Sequence, residues 1–242
     1  MVFQIQVNMA INQFVGNFRT AVNPQIVKKY AAGDIKGSQK LLLESTKYSY
    51  YMMFLLCFPI CLLARPILEL WLGVVPEYTV IFLQLILIQS LFQVFDTSFY
   101  TALYAKGQLR ENALISPTLG FLMFPIVYIF FKLGYSPVVL SWASLIMYGL
   151  LGLIVKPILI VKIARYDYKE ILNVFKSCIL VTVAALPMPV YLIINGDLTS
   201  LSYSICIFCI TLILTTIIIF SIGINKDTKH KVIGLIKNKM NI

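Results

Sequence analysis

Asn8, Asn12, Arg19 and Asn23 are spaced so that, at about 100° per residue, a helix would hold all four within about 60° of one another. Three amides and one fixed cation on a single face could form the wall of an anion-binding cavity. A charge at membrane depth costs several kcal/mol unless it pairs, meets water or snorkels. The alternative for Arg19 is therefore a side chain stretched about two turns toward the nearer membrane face.

A second polar stripe follows. Gln89, Gln93, Asp96 and Tyr100 also fall within about 60° on one helix face. Asp96 is the clearest acid inside an apolar run, and burial would raise its pKa, which suits an ion-coupling site. It could equally be a structural partner for Arg19 or for a backbone group. Lys156, just before Pro157, could supply a second cation toward a phosphate or snorkel to the membrane face beside Lys162.

Other chemistry finds no support. His230 is the single histidine and sits in a charged tail, where a solvated residue is expected. Five cysteines, Cys57, Cys61, Cys178, Cys206 and Cys209, lie in apolar runs and read as buried thiols acting as small apolar residues. Their odd count argues against a disulfide framework, and Cys206-x-x-Cys209 has no histidine nearby to complete a metal site. There is no nucleophile triad, phosphate loop or paired-carboxylate site, so neither enzymatic activity nor a cofactor is expected.

The elements that position these residues follow from composition. The chain has 242 residues, 60% hydrophobic and 12% charged, with a mean hydropathy of +0.87. A soluble domain carries about 25% charged residues. So much apolar surface suits a bilayer and no aqueous fold. The net charge of +10 lies between apolar runs, so it reports topology and not nucleic-acid binding.

A membrane helix needs about 20 mostly apolar residues. Seven segments qualify, roughly 2–27, 46–64, 79–104, 113–132, 137–161, 171–194 and 201–223. An all-α, polytopic transmembrane bundle is the expectation, since backbone groups in lipid must bond internally. The first segment is the least apolar and must face protein or a wet cavity. Pro24 is expected to end it, and Pro59, Pro125, Pro157, Pro187 and Pro189 fall within later segments, where they make packing kinks or shape a binding site. The connection over 28–45 either lies at the interface or extends the second helix. No signal-peptide pattern and no internal repeat is visible.

The lysines and arginines give an orientation. Sixteen of the twenty fall in alternate connections and the C-terminal tail, and only Arg65 and Lys132 fall in the opposite ones. By the positive-inside rule the C-terminus is cytoplasmic and Met1 lies outside. Trp71 and Tyr78 fit an interfacial belt near an outer loop over 65–78. The tail alternates basic and apolar residues and suits a helix lying on anionic lipid.

Three stretches carry a family resemblance. Asn23-Pro-Gln-Ile-Val-Lys-Lys-Tyr-Ala-Ala-Gly-Asp34, Ile67-Leu-Glu-Leu-Trp-Leu-Gly-Val-Val-Pro-Glu-Tyr78 and Ala105-Lys-Gly-Gln-Leu-Arg110 together resemble the polysaccharide flippases. These are the O-antigen and teichoic-acid exporters of the multidrug/oligosaccharidyl-lipid/polysaccharide (MATE-like) superfamily. The resemblance covers roughly residues 5–165.

It implies helices eight to fourteen of a two-lobed transporter. Residues 1–165 would be a C-terminal lobe lacking its first helix, 166–224 two additional helices, and 225–242 a basic cytoplasmic tail. The implied activity is movement of an undecaprenyl-diphosphate-linked oligosaccharide across the bacterial cytoplasmic membrane. Membrane lipids and a missing N-terminal lobe, from the same gene or a partner chain, are the implied partners, and nucleic acid is not among them. Asn8, Asn12, Arg19, Asn23, Gln89, Gln93 and Lys156 would line the cavity, with Asp96 as the ion-coupling candidate. The chain alone is then not expected to transport. Two rivals are a drug/cation antiporter of the same superfamily and a seven-helix receptor, although no Asn-x-Ser/Thr acceptor site is present.

Overall fold

The computed structural model describes residues 2–196, 200–225 and Lys229. Among these every regular element is a helix: α1 Val2–Ala31, α2 Ile35–Leu62, α3 Ala64–Leu72, α4 Thr79–Lys106, α5 Arg110–Lys132, α6 Val139–Leu150, α7 Lys156–Lys162, α8 Tyr168–Ala185, α9 Pro187–Asn195 and α10 Leu201–Ile218. Two π turns, Leu151–Val155 and Ile219–Gly223, join α6 to α7 and extend α10.

Five of the resulting stretches are long and apolar enough to cross a bilayer: Thr79–Lys106, Arg110–Lys132, Val139–Lys162, Tyr168–Asn195 and Leu201–Gly223. The pair α2 and α3, bent by 71°, makes a sixth. Among the described residues the expected count of seven is therefore corrected to five or six. The first segment does fold as a 30-residue helix, but Asn8, Asn12, Gln13, Asn17, Arg19 and Asn23 keep it from being apolar enough.

Several boundaries differ from expectation for local reasons. Pro24 does not end α1, which runs on to Ala31. Its ring fits a helical φ but supplies no N–H, so the carbonyl of Thr20 loses its usual partner. The 28–45 connection is mostly helix, because α2 begins at Ile35 behind an N-cap at Asp34, whose carboxylate accepts the Gly37 N–H at 2.9 Å. Gly33 turns the chain there with φ +83°, which favours glycine. The expected outer loop over 65–78 begins as helix α3, where the chain bends at Leu63 after Pro59. Cys206 and Cys209 are exposed on α10, whereas Cys57 and Cys178 are buried.

The chain divides into two compact units, Met1–Val174 and Phe175–Ile242, with the boundary inside α8. In the first unit α4 is central, packed against α1, α2, α6, the π turn and α7, whereas α5 packs chiefly on α6. An aromatic column supplies much of the core. Tyr50, Phe54 and Phe58 follow one another at four-residue spacing on α2, and the Tyr50 ring stacks on Phe95 of α4 at 5.2 Å.

The basic connections of this unit meet at one end. Gln39 Nε2 donates to the carbonyls of Ala164 and Arg165, both at 3.3 Å, and Lys106 Nζ donates to the carbonyl of Ile163. In the second unit, Tyr203 of α10 donates its hydroxyl to the Leu192 carbonyl of α9 at 3.0 Å. The basic tail, with His230, lies outside the described residues apart from Asn225 and Lys229.

Candidate functional site

A broad, open cavity of about 1040 Å³ lies in the first unit between α1, α4, α5 and α7. Arg19 and Asn23 come from α1, Asp96, Thr97, Tyr100 and Tyr104 from α4, Asn112 and Ser116 from α5, and Lys156 from α7. It reaches Lys28 and Ala31 at the end of α1, which is the basic end of the bundle.

Lys156 is turned inward and is only 3% exposed, so it does not snorkel. The π turn explains how. Its widened backbone passes the Lys156 N–H to the Leu151 carbonyl, directly before Pro157, whose ring supplies no N–H to the preceding turn. Gly152 within this turn lies so close to α4 that a Cβ there would stand 2.5 Å from the Phe92 carbonyl oxygen.

Three neighbours engage the Lys156 ammonium. Asp96 Oδ1 lies 3.0 Å away, and Asn112 Oδ1 accepts a hydrogen bond. The Tyr100 ring centroid is 5.3 Å off, within cation–π range. Asp96 Oδ1 is buried and takes no aligned hydrogen bond, so its contact with Lys156 is ionic and not a directed bond. Asn112 also accepts from Ser116 Oγ at 3.0 Å, which fixes its amide oxygen toward the cluster.

Arg19 is placed differently. One guanidinium N–H goes to Thr97 Oγ1, and no ion pair to Asp96 forms. A guanidinium has five donors, so most of this cation remains available to the cavity. Arg19, Lys28 and Lys156 oppose the single carboxylate of Asp96, and the wall is net positive.

The remaining candidates lie elsewhere. Asn8 and Asn12 bond to one another at 2.8 Å and to Ser90 of α4, whose Oγ donates to Asn8 Oδ1 at 2.6 Å. They tie α1 to α4 and do not line the large cavity. Asn12 and Gln93 line a smaller one of about 50 Å³, together with Arg19. Gln89 is half-buried and lines neither. Thus Arg19, Asn23, Asp96 and Lys156 share the large cavity, while Asn8, Asn12, Gln89 and Gln93 lie outside it.

Sequence reasoning missed Thr97, Asn112 and Ser116. Asn112 and Ser116 stand four apart at the start of an apolar helix, a signal of the same kind as the stripes on α1 and α4. No group of three or more His, Cys, Asp and Glu side chains able to hold a metal occurs among the described residues.

This arrangement can receive an anion at Arg19 and hydroxyl-rich groups along Asn23, Thr101 and Tyr104. No protein-family model, curated protein or solved structure matches the chain.

Proposed function

We propose that this chain is part of a flippase for an undecaprenyl-diphosphate-linked oligosaccharide in the bacterial cytoplasmic membrane, serving surface-polysaccharide biosynthesis. The observation that supports this reading is Arg19, a cation with donors to spare, in the wall of an open, net-positive cavity at the basic end of a membrane-type bundle. By the positive-inside rule that end faces the cytoplasm, where such a lipid would be loaded. The cavity is open, and a facing lobe, from the same gene or a partner chain, would complete it and allow alternating access.

Ligand preference tests the reading. Purified protein in nanodiscs is expected to bind farnesyl diphosphate at least about ten-fold more tightly than farnesol, a difference of about 1.4 kcal/mol. Tighter binding of tetraphenylphosphonium than of the diphosphate would favour the cation antiporter instead.

A further inference from the structure

Beyond Ser116 the same face of α5 lines a second, separate hollow. Asn112, Ser116, Leu119, Met123 and Ile126 occupy one face of α5, within about 80° at 100° per residue. The first two line the polar cavity, and the last three line a groove of about 220 Å³ between α5 and α6. The groove's other wall is Ala143, Ile146, Met147 and Leu150, so every residue in it is apolar. Small residues stand beside both of its methionines. Ser144 Oγ lies 3.7 Å from Met123 Sδ, and a Cβ on Gly120 would meet Met147 Sδ at 3.8 Å, an ordinary contact.

Both helices that form this groove are among those apolar enough to cross a bilayer. Leu122, Ile126, Ile146 and Leu150 at its rim are exposed. We infer that the groove holds the proximal part of the apolar chain of the same lipid whose anionic head occupies the cavity. The inference rests on the flippase reading and adds a path for the tail. A diphosphate near Arg19 and Lys156 has its first isoprene units beside Ser116, and the shared face of α5 leads from there into the groove. The chain can thus leave a polar cavity without crossing polar wall. Met123 and Met147 suit a flexible, methyl-branched guest because their side chains re-pack at little cost.

The test compares inorganic diphosphate with dimethylallyl, geranyl and farnesyl diphosphate, using the protein in nanodiscs of zwitterionic lipid. Affinity is expected to rise with each isoprene, by about ten-fold or more across the series. Ala143→Phe, which fills the groove, should flatten that rise and leave inorganic diphosphate binding unchanged. A rise that persists undiminished in Ala143→Phe overturns the groove assignment. So does a series that is flat in the unaltered protein while diphosphate still binds.

Failure of inorganic diphosphate to bind at all overturns the cavity reading, and the tail path with it. A second measurement needs no variant. A farnesyl diphosphate with a diazirine at its first isoprene should cross-link to peptides containing Leu119–Ile126 and Ala143–Leu150, and excess unlabelled farnesyl diphosphate should suppress the adducts. Adducts on other helices, or adducts that the competitor leaves untouched as bulk membrane lipid would, overturn the inference.

Discussion

Lys156 Nζ and Asp96 Oδ1 lie 3.0 Å apart, joining α7 to α4 with both side chains largely out of reach of solvent. Two charges removed from water in this way gain much from each other and little from the pair as a whole. Replacing both by apolar groups is often neutral, whereas removing one leaves the other stranded.

Lys156→Met is therefore expected to destabilise the protein by about 3–5 kcal/mol, and Asp96→Leu with Lys156→Met by much less. Unfolding in mixed micelles measures both. A double variant whose cost equals the sum of the separate costs of Asp96→Leu and Lys156→Met would show that the two side chains are not coupled.

Arg19 is not committed to an ion pair, so its substitution should separate binding from folding. Arg19→Gln is expected to weaken diphosphate binding by about ten-fold or more, in line with about 1.5–3 kcal/mol for hydrogen bonds to charged groups. Its unfolding midpoint should stay close to that of the unaltered protein. Arg19→Lys keeps the charge and loses the fork, so an intermediate affinity is expected. Calorimetric titration distinguishes the three, and an unaffected Kd in Arg19→Gln would remove this side chain from the site.

Gly152 is fixed by space and not by backbone angle. A methyl group there meets the Phe92 carbonyl, which belongs to the helix backbone and cannot step aside. Gly152→Ala is expected to cost about 1–3 kcal/mol, as overpacking does, and to loosen the seat of Lys156. A thermal-shift measurement checks the first effect. Greater solvent exchange at the Lys156 ammonium, read by amine-reactive labelling, checks the second.

How much of this was legible in the sequence depends on how local the cause was. The membrane character follows from composition, and the polar stripe of α1 from spacing alone. The same stripe explains why α1 drops out of the set of plainly apolar spans. Arg19 and Asn23 could be placed on one face, but nothing in the spacing says that Asn8 and Asn12 turn toward Ser90 while Arg19 reaches Thr97. Lys156 was the least readable. Its direction depends on a π turn, and a π turn shifts every later side chain around the helix without leaving a pattern in residue types. The bend at Leu63 and the helix that follows it were hidden for a related reason: two glutamates, an arginine and two prolines in 65–78 look like loop, yet Arg65 and Glu69 pair across one turn at 3.6 Å.

Outside the apolar spans, Asp34 offers a pH probe. The Gly37 N–H, and then Lys29 at 3.3 Å, hold its carboxyl below the usual carboxylate range. A lowered folded-state pKa means that this cap contributes stability above the unfolded value of about 3.9 and loses it as pH falls through the lower folded value. Amide exchange at Gly37 should therefore stay protected at neutral pH and speed up in acid beyond the intrinsic trend. Asp34→Ala should show the faster exchange at every pH, and a Gly37 amide insensitive to both changes would rule out the cap.

The pairing of Asp96 with Lys156 also sets a problem of timing. At about 5–20 residues per second, the ribosome adds Lys156 roughly 3–12 s after Asp96. During that interval α4, one of the helices apolar enough to cross the membrane, carries its carboxylate without its lysine partner, and Arg19 of α1 has only Thr97 to bond. The nascent chain must be sheltered for those seconds by protons, water or the insertion machinery. The birth of this protein is therefore most vulnerable in the interval before α7 emerges, and variants that delay α7 should be cleared by quality control even where the finished fold would have tolerated them.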